Sequence, residues 1–340
     1  MKWKKVKIKT DNGIYKEAYA PVIISASRAT DIPAFYSDWF FHRLKKGYIK
    51  RINPFNGKPY YISFQNTRVI VFWSKNPNNI INKLHLLDNK GINYYFHFTL
   101  NYYDKDLEPF LPPIDNRIET FIKLSQKIGK QKVIWRFDPY ILTDKYDIDL
   151  LIKRTEYIGD RIYKYTEKLV FSFADISIYR KVRKNLNLAN IHYKEFTELK
   201  MHQLAEKLSK LNKKWNLELA TCAEKIDLTV YRIKHNKCID DELMVRLFNQ
   251  DKVLMNFIGY EPDSIYPLNE YSHNNIIYRY KIKKDKNQRA NCGCVMSMDI
   301  GQYNTCPYGC VYCYANNSIE LARSNYKKYT KNPYGESILL

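Results

Sequence analysis

At 340 residues the chain can hold one large domain, and an α/β barrel of about 250 residues with insertions fits within that length. Lys and Arg number 56 against 35 Asp and Glu, a net charge of +21, and mean hydropathy is −0.52. No uncharged apolar run approaches the roughly 18 residues that span a bilayer, so no membrane partner is expected. Eleven Gly and 13 Pro exclude a collagen-like or low-complexity chain. The basic start Met1-Lys2-Trp3-Lys4-Lys5 has no apolar run behind it and is not a secretory signal, so the expected compartment is the reducing cytoplasm. The charge excess attracts polyanions and makes DNA or RNA the first macromolecular partner to consider. A composition rich in Lys, Asn, Ile and Tyr also raises charge without any ligand, and the basic residues do not gather into one arm.

The predicted elements alternate strand and helix. Short apolar runs rich in β-branched and aromatic residues predict buried strands at 22–27, 68–73, 94–99, 132–137, 168–173 and 218–222. Helical periodicity follows the first five, at 34–46 (with Asp31 and Pro33 as start signals), 77–89, 114–128, 147–165 and 196–213. Residues 50–65 read as an inserted loop or hairpin. The stretch 251–291 reads as irregular, with the lysine-rich run 281–286 as a solvated connection. A seventh strand at 295–300 and a last helix near 318–328 close the pattern. Repeated βα units imply an α/β fold with a parallel sheet, and six or seven of them favour a (β/α) barrel or partial barrel over an open sheet. No linker divides the chain, so residues 1–340 are expected to form a single domain, with 292–316 its cysteine-rich segment.

In such a fold, chemistry collects at the carboxyl ends of the strands. The polar residues there are Ser25, Ser27, Arg28 and Asp31, then Ser74, Lys75 and Asn76, then His97, Thr99 and Asn101, then Arg136 and Asp138, then Ser172 and Asp175, and finally Glu224. Arg28, Asp31, Lys75, His97, Arg136, Asp138 and Glu224 are the candidates for catalytic or substrate contacts. Plain structural readings stand beside them. Arg136 and Asp138 pair, Asp31 and Asp138 cap helices, and His97, between Phe96 and Phe98, is a satisfied core histidine.

Five of the seven cysteines fall between 292 and 313, and clustered thiols in a reducing compartment point to metal rather than disulfides. The run Cys306-Pro-Tyr-Gly-Cys310-Val-Tyr-Cys313-Tyr-Ala-Asn is spaced C-x3-C-x2-C. Three thiolates on a short loop suit three irons of a [4Fe–4S] cube and leave the fourth open. With a strand before it and an aromatic residue before the last cysteine, the run resembles the radical S-adenosylmethionine (SAM) superfamily. CxYCYA looks most like the version in spore photoproduct lyase and its relatives. The resemblance implies a [4Fe–4S] cluster on Cys306, Cys310 and Cys313, with SAM chelated at the open iron. It further implies reductive cleavage of SAM to methionine and a 5′-deoxyadenosyl radical, and an electron donor such as flavodoxin or ferredoxin. Ser25, Ser27, Tyr312 and Asn316 are the positions it sets against SAM, and a nucleic-acid base is one class of substrate. Two departures stand out. The motif lies near the C-terminus, with 27 residues after it. A circular permutation reconciles this, with 295–300 the first strand in space, 318–328 the first helix and 22–27 the second strand. The superfamily's Gly-Gly-Glu is also replaced, by Ser25-Ala-Ser27-Arg28.

Cys222, Cys238, Cys292 and Cys294 remain, a full donor set for Zn²⁺ or for a second, closed [4Fe–4S] cluster. If a barrel closes, their strand ends are neighbours. Alternatively Cys222 is a buried apolar residue and Cys238 a bystander, or all seven cysteines serve zinc sites that staple a nucleic-acid-binding module. Tyr303, Tyr308, Tyr312 and Tyr314 either shield the loop or stack on an adenine or substrate base. No G-x-G-x-x-G, P-loop or G-x-S-x-G sequence is present. The segments SASRATDIPAFYSDWF, NPFNG, FWSKNP, WRFDPY, CAEKIDL, KCIDDEL, QRANCGC and DIGQYNTCPYGCVYCYAN resemble a bacterial family of unknown function over about residues 22–316.

Overall fold

The computed structural model describes residues 3–260, 284–285, 288–289 and 291–339. Apart from Lys284 and Asp285, the lysine-rich run 281–286 lies outside the described residues. The seven expected runs and one unexpected short segment, Ile233–His235, form eight parallel strands: β1 (Ile23–Ala26), β2 (Val69–Ser74), β3 (Asn93–Thr99), β4 (Val133–Tyr140), β5 (Lys168–Phe173), β6 (Glu218–Thr221), β7 (Ile233–His235) and β8 (Met298–Asp299). Their order across the sheet is β7-β6-β5-β4-β3-β2-β1-β8. The last strand in the chain therefore lies beside the first, with Met298 opposite Ile24 and Asp299 opposite Ser25.

The sheet does not close. Among the described residues no ladder joins β7 to β8, so the architecture is α/β with a parallel sheet. The two edges do approach, since the Val295 N–H, just before β8, donates to the Ile239 carbonyl, just after β7, at 3.0 Å.

Both faces of the sheet are buried, as the near-continuous apolar strands require. Side chains alternate between them. Ile24, Phe72, Phe96, Trp135 and Phe171 belong to a large core cluster. It is shared with the helices α1 (Ser37–Lys46), α2 (Ile114–Ile128), α3 (Ile148–Ile162) and α4 (Glu198–Asn212). Ile23, Val71, Tyr95, Ile134 and Val170 belong to a second cluster, with Met244 and Phe248 of α5 (Asp241–Phe248), Leu254, Cys238, Cys294 and Val295. Continuing the alternation toward the carboxyl ends puts Ser25, Trp73, His97, Arg136 and Ser172 on the side of this second cluster.

Several elements differ from expectation. The helix expected over 34–46 breaks at Tyr36 (φ −130°) into a turn, Ile32–Phe35, and α1. The Tyr36 hydroxyl is drawn to the Thr305 carbonyl at 2.6 Å. The helix expected over 77–89 is two single turns, Asn78–Ile81 and His85–Asp88. The insert at 50–65 is an antiparallel hairpin, Tyr48–Ile52 with Pro59–Ser63, joined by a second hairpin, Lys5–Lys9 with Tyr15–Tyr19. The stretch expected to be irregular begins with a helix, Lys252–Ile258, capped by Asp251. Asp138 lies inside β4 and caps no helix. The last helix, α6 (Ile319–Lys331), runs slightly longer than expected and is capped by Ser318.

Gly159 of α3 packs on Trp215, and a Cβ there would come within 2.2 Å of the indole. Gly159→Ala therefore should destabilise the protein by about 1–3 kcal/mol through overpacking. Denaturant unfolding of the two proteins checks this, and equal midpoints would contradict it.

Candidate metal centre

The polar residues that end the parallel strands meet around two separate cysteine groups. Cys306, Cys310 and Cys313 form the first, on the loop between β8 and α6. Gly309 turns this loop at φ +69°, a conformation that favours glycine. Cys306 and Cys310 pack with Ala34, Leu111 and Tyr308. Asn316 donates to the Cys306 carbonyl at 2.7 Å, while its side-chain oxygen is buried without a partner. Burial pushes the Cys310 thiol up to about 12 and Cys306 well above the usual range, each helped by neighbouring thiols. Without a metal these thiols stay protonated.

A buried ionic network lies under the loop. Lys75 Nζ donates to Glu108 Oε1 and to Tyr312 Oη, both at 2.8 Å. Tyr312 Oη donates to Glu108, and Asn101 Nδ2 donates to Tyr312 Oη at 3.0 Å. Arg117 reaches Glu108 at 3.5 Å and the Asn101 carbonyl at 3.0 Å. Burial alone would raise Glu108, but Lys75 and Arg117 hold its carboxyl below the ordinary value. The hydroxyl of Tyr312 is thus taken up inside the protein, and its ring packs on Tyr103. Tyr308 is buried as well, whereas Tyr314 is exposed and Tyr303 lies under Lys181. Asp31 accepts from Ser74 Oγ (2.7 Å), Lys75 N (2.8 Å) and Ala34 N (3.0 Å), so it does cap the turn after β1.

Ser25 and Ser27 are both claimed by Asp299. Their hydroxyls donate to its carboxylate at 2.7 and 2.8 Å, and the N–H groups of Arg28 and Gly301 add bonds of 2.9 and 2.8 Å. The Arg28 carbonyl accepts from Tyr314 Oη at 2.8 Å, and its guanidinium lies over Trp73.

The second group gathers the other four cysteines. Cys222 Sγ and Cys238 Sγ are 3.5 Å apart. Cys238, Cys292 and Cys294 are buried in one cluster, with Cys222 packed against it. Cys294 Sγ accepts from the N–H groups of Cys238 (3.2 Å) and Ile239 (3.3 Å). Arg136 Nη1 donates to Cys238 Sγ at 3.0 Å and Asn236 Nδ2 at 3.4 Å. Its hydrogen bond with Cys294 brings the Cys292 thiol down to about 7. Arg136 also pairs with Asp138, Nε to Oδ2 at 3.0 Å, and Asp138 accepts from Ser172. His97 Nε2 bonds the Cys238 carbonyl at 2.7 Å, while its Nδ1 is buried without a partner. Burial, with Arg136 nearby, drives His97 well below its ordinary value and keeps it neutral. Glu224 accepts from Phe173 N at 3.0 Å, and burial, with Asp175 and Cys222 nearby, pushes it up to about 7.

Chemically, clustered thiols are a donor set that suits zinc or iron. As placed, no three His, Cys, Asp or Glu side chains among the described residues are arranged round a point that could hold a metal ion. Asp299, Glu108 and Arg117 were missed by the sequence reading. The strand-end rule reaches Asp299 once 295–300 is treated as a site strand, whereas Glu108 and Arg117 sit in a loop and a helix with no local signal.

The fold and site define a parallel α/β protein with two cysteine groups at its strand ends. The chain belongs to the family described as a domain of unknown function, DUF1848, which matches residues 23–315. No curated protein matches it. A crystal structure from Bacteroides thetaiotaomicron VPI-5482, provisionally described as an alpha-L-fucosidase, is 11% identical over 76% of this chain and 87% of its own, with a TM-score of 0.26. That similarity carries no argument about fold or chemistry. No described helix is long and apolar enough to cross a membrane.

Burial pushes the Asp31 carboxyl from its ordinary 3.8 up to about 6. The folded state then holds the proton more tightly than the unfolded chain. Stability is greatest below about pH 4 for this group and is lost as pH rises through about 6, by on the order of 3 kcal/mol. Asp31→Asn should remove that step in metal-free protein. Unfolding free energies measured across this range for both proteins give the test, and parallel pH profiles would refute the assignment.

Proposed function

We propose that this chain is an iron–sulfur enzyme of radical SAM type, with a circularly permuted partial (β/α) barrel. The observation that carries the reading is the unit β8–cysteine loop–α6 beside β1, with the C-x3-C-x2-C loop over the carboxyl ends of β1 and β2. A strand, a three-cysteine loop and a helix thus precede β1 in space although they end the chain. Cys306, Cys310 and Cys313 would hold a [4Fe–4S] cluster. Bound there, the cluster supplies the electron that cleaves SAM to methionine and a 5′-deoxyadenosyl radical.

The chain's own residues position and shield. Lys75, Glu108 and Arg117 fix Tyr312 and hence the loop between Cys310 and Cys313. Arg28, at the end of β1, and the exposed Tyr314 stand at the rim, where an adenosyl group or a substrate base can stack. His97, Arg136, Asp138 and Glu224 line the neighbouring strand ends. Lys181 and the chain's positive charge favour a polyanionic substrate, DNA or RNA. A flavodoxin- or ferredoxin-like donor would supply electrons, and a cytoplasmic setting keeps the thiols reduced.

One observation favours a second reading, an iron–sulfur or zinc protein that binds nucleic acid without SAM chemistry. Where the superfamily has Gly-Gly-Glu, Ser25 and Ser27 spend their hydroxyl protons on Asp299. Asp299, the carboxylate there, is already committed to these serines and to the N–H groups of Arg28 and Gly301, not to a SAM amino group.

Anaerobically reconstituted protein should carry about four irons and four sulfides on this loop, show an EPR signal perturbed by SAM, and form 5′-deoxyadenosine when reduced. Cys310→Ala should lose the loop's iron with its circular dichroism unchanged. Iron without any response to SAM would leave the second reading. For nucleic acid, affinity for DNA or RNA should fall steeply with salt; salt-independent binding would argue against phosphate contact.

A further inference from the structure

We propose that Cys222, Cys238, Cys292 and Cys294 bind a single Zn²⁺ ion that ties together the two edges of the parallel sheet. Cys222 follows β6, Cys238 follows β7, and Cys292 and Cys294 precede β8. The group therefore sits at the seam between the edge strands, next to the Val295–Ile239 backbone bond.

Sulfur spacing selects the metal. Four thiolates about 2.3 Å from one tetrahedral zinc lie about 3.8 Å from one another. Thiolates on different irons of a [4Fe–4S] cube stand on the order of 6 Å apart, because an iron–iron edge separates them. Cys222 Sγ and Cys238 Sγ are 3.5 Å apart, the spacing of two ligands on one ion. A [2Fe–2S] cluster could accept one such pair on each iron. Here Cys238, Cys292 and Cys294 are buried in one cluster with Cys222 packed against it, and the Cys238 N–H reaches Cys294 Sγ at 3.2 Å.

The surroundings suit thiolate ligands. Four thiolates on Zn²⁺ leave a net charge of −2, which a buried site must offset. Arg136 donates to Cys238 Sγ, and the N–H groups of Cys238 and Ile239 converge on Cys294 Sγ. Hydrogen bonds to ligating sulfur are the outer partners a thiolate site uses to fix and tune its metal.

The inference is independent of the Cys306 loop, and elemental analysis separates the two. About one zinc per chain is expected in protein purified without added metal. Cys222→Ser and Cys294→Ser should lose it, while Cys310→Ala should keep it and lose iron. The unsubstituted protein supplies a check that does not depend on the variants folding. Cobalt loaded in place of zinc should show the intense visible bands of a tetrahedral thiolate site, and these four cysteines should resist alkylation until a chelator is added. Iron lost from Cys222→Ser, with no zinc in any protein, would overturn the proposal in favour of a second cluster. Rapid alkylation of the four thiols in metal-replete protein, or a Cys222–Cys238 disulfide recovered by mass spectrometry, would overturn it in favour of free thiols.

Discussion

The carboxylate of Asp299 is the interaction on which the architecture turns. β8 is only two residues long, too short for its ladder alone to hold the C-terminal segment against β1. Asp299 adds both serine hydroxyls of the β1 end and the backbone N–H groups of Arg28 and Gly301. Gly301 is required, because a Cβ there would fall 1.9 Å from Ser27 Oγ. From this anchor the chain is stitched forward. Thr30 Oγ1 meets the Gln302 carbonyl and Thr305 Oγ1, each at 2.7 Å, and Tyr36 donates to the Thr305 carbonyl. By Cys306 the loop is already registered against the residues that follow β1. Bringing segments some 270 residues apart together costs only a slowly growing closure entropy. A compact cluster of charge-assisted hydrogen bonds can offset it.

The loop is held from below by charge rather than by apolar contact alone. Lys75, Glu108 and Arg117 are buried together, an arrangement that contributes little net stability once desolvation is counted. Arg117 Nε and Nη1 and Glu108 Oε2 also lack hydrogen-bond partners. An apolar triad of the same volume would pack as well, but it could not fix the Tyr312 hydroxyl. Lys75, Glu108 and Asn101 all converge on that oxygen. Tyr312 lies between Cys310 and Cys313, so the network sets the geometry of the two thiols. The ionic group is better understood as positioning than as stabilising.

Six of the eight sheet strands were legible as apolar runs because both faces of a parallel sheet are buried, so each strand is a continuous signal. β8 was legible as a site only through the cysteines behind it, and its pairing with β1 came from treating the order as permuted. α2, α3 and α4 have the length and amphipathic period that make helices plain. What escaped notice was short or exposed. β7 is three residues, and the Lys5–Lys9/Tyr15–Tyr19 hairpin buries few of its side chains. The break at Tyr36 could not be read locally, since it answers a carbonyl far away in the chain. Among site residues, Arg28, Asp31, Lys75 and Arg136 were legible because they end strands. Glu108 and Arg117 were not, since a buried ion pair announces itself only when both partners are placed. His97 fell between the two readings, with one ring nitrogen satisfied and the other not.

The two thiol groups share an electrostatic problem. In the first, burial raises Cys306 and Cys310 and neighbouring thiols add to it; in the second, the hydrogen bond with Cys238 and then burial raise Cys222. Metal-free thiols here are therefore held protonated, with Cys292 the exception. A divalent cation or an iron cluster removes the conflict by displacing the protons and taking the repulsion into its own charge. Arg136 and Lys75 reduce it only partly, since each is already committed to a carboxylate. The same packing that makes these cysteines poor nucleophiles therefore makes them strong candidates for metal. The sheet edges, which no backbone ladder joins among the described residues, are where such a bond would add most to the fold.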